Sequence, residues 1–136
     1  MSNIEQTLSI IKPDAVERNL QDKIKQEFTS KNFEIIKEKK IHMSKEEAEQ
    51  FYKVHESKPF YNDLCTYLSS GPIVVMTLQR ENAVIENRKL MGATNPLDAE
   101  EGTLRRKYGI SIDKNSVHGS DSIENAKIEI DFFFKD

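Results

Sequence analysis

Apolar and polar positions change period several times along the chain, and each change marks an element. Residues 7–11 are β-branched and apolar and stop at Lys12-Pro13-Asp14, where proline denies a ladder hydrogen bond, so they read as a first strand. Leu20, Ile24 and Phe28 then recur at helical spacing, with Asp22 expected at the N-cap and Asn32 expected to stop the helix in a left-handed conformation. Over residues 33–41, Phe33, Ile35 and Ile41 fall at alternate positions with lysines between them, the pattern of a strand with one wet face. Ser44 and Glu47 make an S-x-x-E capping box, and Ala48, Phe51 and His55 continue one helical face until Lys58-Pro59. A further helical segment, 60–68, ends near Gly71-Pro72.

Residues 73–78 form an unbroken apolar run bounded by Gly-Pro and Gln-Arg-Glu-Asn, the composition of a central strand buried on both faces. A short helix at 82–91 is closed by Gly92, a long loop at 93–103 carries Pro96 and Gly102, and a short strand surrounds Val117-His118. Asp121 followed by Glu124 predicts a second cap, opening a helix with Ile123, Ala126 and Ile130 inward. The order β-α-β-α-α-β-α-β-α, without repeat or linker, predicts one domain over residues 1–136: an α+β sandwich of a four-stranded antiparallel sheet with helices on one face.

A chain of 136 residues buries a real core without staples. Its 20 Lys plus Arg against 23 Asp plus Glu leave a net charge of −3, so no global positive field favours sequence-specific nucleic-acid binding. Any polyanion site is therefore a local cluster. The lone Cys65 leaves no intramolecular disulfide, no apolar run approaches the roughly 20 residues that span a bilayer, and the N-terminal residues lack a signal pattern; a cytoplasmic protein is expected.

The segment Asn115-Ser116-Val117-His118-Gly119-Ser120-Asp121 sets a histidine among small and polar residues just before a helix start. An imidazole so placed accepts a phosphoryl group if cations and hydroxyls converge on it, and Lys12, Arg88, Thr94 and Arg105 are the candidates. Cations nearby favour a neutral ring, and an arginine fork suits phosphate oxygens. Of the three histidines, His42 follows a strand and His55 leaves a helix; only His118 stands beside glycine, with Ser120 adjacent and Glu129 one helix later to orient the ring. Arg106 and Lys107 read as solvated charges. No G-x-x-x-x-G-K-[ST] loop and no G-x-G-x-x-G is present, so side chains must hold the phosphates. No histidine pair has metal-ligand spacing, which leaves Mg²⁺ carried in with the nucleotide and no protein metal site.

These motifs together resemble the nucleoside diphosphate kinase family from about residue 7 to residue 134. I-K-P-D-A-V from Ile11 resembles its first-strand signature, Lys58-Pro59-Phe60-Tyr61 its base-stacking segment, Ser69-Ser70-Gly71-Pro72 the approach to its central strand, and R-K-L-M-G-A-T-N-P from Arg88 with the segment around His118 completes the set. The resemblance implies a ferredoxin-like fold and a ping-pong transfer in which His118 takes the γ-phosphoryl group from a nucleoside triphosphate and passes it to a nucleoside diphosphate. It implies that Lys12, Tyr52, Arg88, Thr94 and Arg105 contact the phosphates or the reacting group, and that Asn115 with Lys12 contacts the ribose hydroxyls. Phe60 would stack on the base with Leu64 and Ile112 as apolar company, and Ser120 and Glu129 would support His118.

A stacking phenylalanine accepts any base face, so broad base and sugar tolerance is expected. Asp22, Lys58 and the Arg106-Lys107 pair depart from the family's usual residues, and the last leaves charge more positive after Arg105. Family members are homo-oligomers, usually hexamers or tetramers; this chain stops soon after Phe132-Phe133-Phe134, which leaves assembly open. The rival reading is a non-catalytic nucleotide-binding module on the same fold.

Overall fold

The computed structural model describes residues 4–111 and 114–134. Its sheet is antiparallel with strand order β2-β3-β1-β4. β1 (Ile4–Ile11) and β3 (Ile73–Glu81) are the central pair, in register from Ile4 opposite Glu81 to Ile11 opposite Val74. β2 (Glu34–Ile41) lines the outer edge of β3, and the three-residue β4 (Val117–Gly119) lines that of β1.

Helices cover both faces of this sheet, which corrects the one-face expectation. On one face Ile11, Val74, Met76 and Leu78 pack against Ile24 and Phe28 of α2 (Gln21–Ser30) and Leu90 and Met91 of α5 (Ala83–Met91). On the other, Leu8, Ile10, Ile73 and Val75 meet Ala48 of α3 (Lys45–Phe51), Cys65 and Leu68 of α4 (Tyr61–Leu68) and Phe133 of α7 (Ile123–Phe134). The reason lies in β1 and β3 themselves. Ile10 and Val75 are fully buried on one pleat, Ile11 and Met76 on the other, and burying each such side chain is worth roughly 1.5–3 kcal/mol. A bare second face would forfeit half of that.

Several local expectations hold. Asn32 has φ 69°, Gly92 closes α5 with φ 83°, and Ser44 and Glu47 form the full capping box at 3.1 and 2.9 Å. Others change. A bulge between Ile35 and Lys37 on β2 sends Ile35 and Ile41 to opposite faces, so simple alternation fails there. Leu20, not Asp22, stands at the N-cap of α2, and Asp22 lies within the first turn.

At α7 the hydroxyl of Ser122 accepts from the Asn125 amide at 3.1 Å and takes the capping role expected of Asp121. The inward stripe of α7 is Ala126, Ile130 and Phe133, while Ile123 is exposed. Two short helices were not foreseen. α1 (Pro13–Glu17) starts at the proline that reads as a turn, and α6 (Leu104–Tyr108) is capped by Thr103, whose hydroxyl accepts from Arg106. α3 ends sooner than predicted, and a 3₁₀ turn, Lys53–His55, follows it and carries the chain on from Tyr52.

Candidate active site

His118 pairs with Ile10 across β1 and β4, so it faces the same side as Ile10 and lies among aromatic rings, 5.4 Å from Phe51 and 6.4 Å from Tyr52 between centroids. Gly119 faces the other side, where an added Cβ would stand 2.4 Å from Asn87 Nδ2 and 2.7 Å from Met91 Cε. Only glycine lets β4 lie this close to α5.

The imidazole is held from behind. Its Nε2 lies 3.1 Å from Glu129 Oε1 on α7, and Ser120 Oγ donates to the same oxygen at 2.7 Å while accepting from the Leu8 amide. A carboxylate only accepts, so Nε2–H is the donor and Nδ1 keeps the lone pair. Lys12 directly follows β1, is 5% exposed, and gives its Nζ to Asn115 Oδ1 at 3.0 Å; Asn115 Nδ2 in turn reaches the Thr94 carbonyl at 3.1 Å. Lys12, Thr94 and Asn115 thus meet at one end of the sheet, the end from which His118 projects.

Arg105 on α6 forks to two carbonyls, Gly92 at 3.1 Å and Val117 at 2.9 Å, while its Nε has no acceptor among the described residues. Burial, and after it the like charge of Arg88, holds this guanidinium down to about 10. Arg88, Thr94, Arg105 and Gly119 line a cavity of about 210 Å³ beside the histidine strand. Larger hollows exist, one of about 450 Å³ against Ile4 and Ile123, but that one carries no arginine.

Phe60 is 46% exposed at the start of α4, with Leu64 half-buried one turn on. A row of rings, Phe60 to His55 at 5.9 Å, His55 to Tyr52 at 6.1 Å and Tyr52 to His118, joins the exposed aromatic face to the imidazole. Ile112 lies outside the described residues. Arg106 and Lys107 do not add charge to the phosphate cavity: Arg106 donates to the Leu97 carbonyl and Lys107 pairs with Glu27 at 2.7 Å.

Sequence reasoning missed Asp14, Arg18, Tyr67 and Ser116, a hydrogen-bonded network beside Lys12 and Asn115 in which Asp14 and Ser116 are buried, Tyr67 is half-buried and Arg18 is exposed. Asp14 is bonded to Tyr67 and Ser116, 53 and 102 positions away. A Pro-Asp pair at a strand end carries no local sign of such partners.

Tyr52 and Tyr67 are both pushed well above the ordinary tyrosine range, chiefly by burial, with Glu129 adding to Tyr52 and the Asp14 hydrogen bond to Tyr67. Unfolded phenols ionise near pH 10, whereas these two keep their protons in the fold. Their contribution to stability is whole below about pH 10 and drains away as pH rises beyond it. Depressed Arg105 acts in the opposite sense but is one group against two. Absorbance at 295 nm should lag the titration of free tyrosine and then rise together with loss of circular dichroism, and Tyr52→Phe should move that midpoint upward. Full phenol ionisation near pH 10 with the fold intact would contradict this.

A family model described as nucleoside diphosphate kinase matches residues 5–136. The chain is 57% identical over 132 residues to a nucleoside diphosphate kinase of Campylobacter jejuni, covering 97% of this chain and 96% of that one. It is 54% identical over 131 residues to that of Geotalea uraniireducens, covering 96% of each. The solved nucleoside diphosphate kinase of Aquifex aeolicus superposes with a TM-score of 0.95 at 37% identity, over 97% of this chain and 96% of that chain.

Fold, site and likeness together define a phosphotransferase acting on nucleotides, built on a ferredoxin-like sandwich. The chain belongs to the nucleoside diphosphate kinase family, and it moves the γ-phosphoryl group of a nucleoside triphosphate onto a nucleoside diphosphate.

Proposed function

We propose that His118 is the nucleophile of a ping-pong exchange. Nδ1 attacks the γ-phosphorus of the donor, the bond from that phosphorus to the β–γ bridging oxygen breaks, and the donor diphosphate departs. A second diphosphate then attacks the phosphohistidine through its terminal oxygen and returns the ring to its neutral form. The observation that carries this reading is the Glu129–His118 contact with Ser120 behind it, which fixes the tautomer with Nδ1 free of its proton. Glu129 also compensates the positive charge that the ring acquires on phosphorylation.

Lys12, Arg88 and Arg105 neutralise the transferring oxygens, Thr94 and Tyr52 offer hydroxyls to them, and Lys12 with Asn115 holds the ribose hydroxyls. Phe60 takes the base by stacking, with Leu64 and Ile112 beside it; a ring face does not discriminate among bases, so purine and pyrimidine nucleotides, ribo and deoxy, exchange alike. Among the described residues no group of three His, Cys, Asp or Glu side chains is arranged to hold a metal. Glu129 is committed to His118 and Ser120, while exposed Asp121 is held below the usual carboxylate range by Asn125 and aided by Arg88. A Mg²⁺ brought in with the nucleotide would be held by phosphate oxygens and water, and Asp121 would be an exposed carboxylate available to such bound water. When bound, the ion offsets charge on the phosphates.

One domain over residues 1–136 performs this work in the cytoplasm as a homo-oligomer, a hexamer or tetramer. The exposed Ile4, Ile123, Ile128 and Phe132 and the open edge of β2 supply surface for assembly. To test the exchange, the protein is loaded with γ-labelled triphosphate, freed of nucleotide, and given a diphosphate of another base. Label should appear in the new triphosphate; label that leaves only as inorganic phosphate refutes the scheme.

A further inference from the structure

Behind the sugar-facing side chains lies a buried carboxylate that the transfer chemistry does not use. Asp14, 4% exposed, stands two residues after Lys12; fully buried Ser116 stands immediately after Asn115 and two residues before His118. The Lys12 amide donates to the Ser116 carbonyl at 2.8 Å, extending the pairing of β1 with β4 by one rung. Asp14 then closes the connection through side chains. Its Oδ2 accepts from Ser116 Oγ at 2.7 Å and from Arg18 at 3.1 Å, its Oδ1 accepts a short bond from Tyr67 Oη, and its own amide donates back to that Oη at 3.1 Å. Arg18 also reaches the Tyr108 carbonyl at 2.5 Å and Ser116 Oγ at 3.2 Å.

Ser116 has φ 76°, a left-handed conformation that a residue bearing Cβ adopts only when its surroundings impose it. That dihedral sets the direction in which the chain leaves Asn115 for β4. It decides both how Asn115 meets Lys12 and how His118 enters the ladder. The turn is closed by the backbone, where the Val117 amide donates to the Asn115 carbonyl at 2.9 Å, and is held through the side chain, where Ser116 Oγ has two acceptors in reach, Asp14 Oδ2 at 2.7 Å and the Tyr108 carbonyl at 3.0 Å; the charge-assisted bond to the carboxylate is the shorter and the stronger of the two.

We propose that Asp14 is a positioning residue that acts through Ser116: its carboxylate holds the left-handed turn before β4 and thereby keeps Lys12 and Asn115 aligned on the sugar hydroxyls. This rests on the assignment of those two side chains to the ribose made above. A merely structural aspartate would lower stability or slow all substrates equally. A positioning one selectively weakens nucleotides that have a 3′-hydroxyl to be held.

The experiment compares kcat/KM for a 2′-deoxy and a 2′,3′-dideoxy triphosphate of the same base in the full-length protein. Asp14→Asn should lose on the order of tenfold to a hundredfold on the 3′-hydroxyl substrate and far less on the dideoxy one, a misalignment effect. Adding Ser116→Gly should restore much of the lost preference, since glycine holds φ 76° without help. Asn115→Ala calibrates the assay. If Asn115→Ala abolishes the preference while Asp14→Asn, folded by circular dichroism, keeps it, the role of Asp14 is overturned and the sugar assignment stands. If neither changes it, the sugar assignment fails and the proposal with it. Failure of Ser116→Gly to rescue also overturns the route through Ser116.

Discussion

The His118→Ala variant should fold, bind nucleotide and take up no label from γ-labelled triphosphate, with its exchange rate reduced on the order of 10⁵-fold or more, the scale on which nucleophile deletions act. The labelled wild-type protein should lose its phosphate in acid and keep it in base, as a phosphoramidate does. No neighbour replaces the ring. Tyr52 is a buried phenol whose burial opposes ionisation, and His55 lies beyond Tyr52 in the row of rings, 6.1 Å from it, whereas attack requires reacting atoms within about 3–3.5 Å. The stability cost is small by comparison, roughly 1 kcal/mol for a partly exposed ring lost from beside Phe51 and Tyr52. Activity and stability therefore separate, and label persisting in His118→Ala would sink the nucleophile assignment.

Arg105→Lys should be the second most damaging change, lowering kcat/KM by about 10³-fold and stability by roughly 1–3 kcal/mol. The substitution keeps the charge, and for that reason it is informative. The guanidinium fork ties the Gly92 carbonyl, which ends α5, to the Val117 carbonyl, which begins β4, while turning its edge toward the cavity shared with Arg88. An ammonium on a flexible stem does not reach both carbonyls and a phosphate from one position. One buried carbonyl is left without a donor, and α5 loosens from the strand that carries His118. Steady-state exchange with denaturant melts measures both losses; a lysine variant with unchanged kcat/KM would show that Arg105 is only a structural brace.

Much of this was legible in the residues because the relevant physics is local. The β-branched and apolar composition of β1, an unbroken apolar run in β3, the Ser44–Glu47 box and the Gly92 stop each depend on neighbours within a few positions. The candidate site was legible for another reason: His118 beside glycine, with Ser120 and Glu129 close in sequence, sets its own tautomer through contacts 9 and 11 residues apart. Local reasoning erred where packing overruled propensity. Asp22 is a good cap by type, yet Leu20 occupies that position; Ile123 has the right spacing for the stripe on α7 but falls outside the face that β1 covers. Arg106 and Lys107 are exposed, as their reading as solvated charges expects, but the extra positive charge expected after Arg105 is directed to the Leu97 carbonyl and to Glu27.

From its residues alone the chain determined its strands and main helices, the histidine proposed as nucleophile and the cations available to it, since periodicity, capping and side-chain pairing type are properties of short segments. Only the tertiary structure decided that helices close both faces of the sheet, that Arg105 braces α5 against β4, and that Asp14, Tyr67 and Ser116 meet. Those contacts join positions as far as 102 residues apart, and such a juxtaposition exists only once the two central strands have paired and drawn the chain's distant ends to one edge.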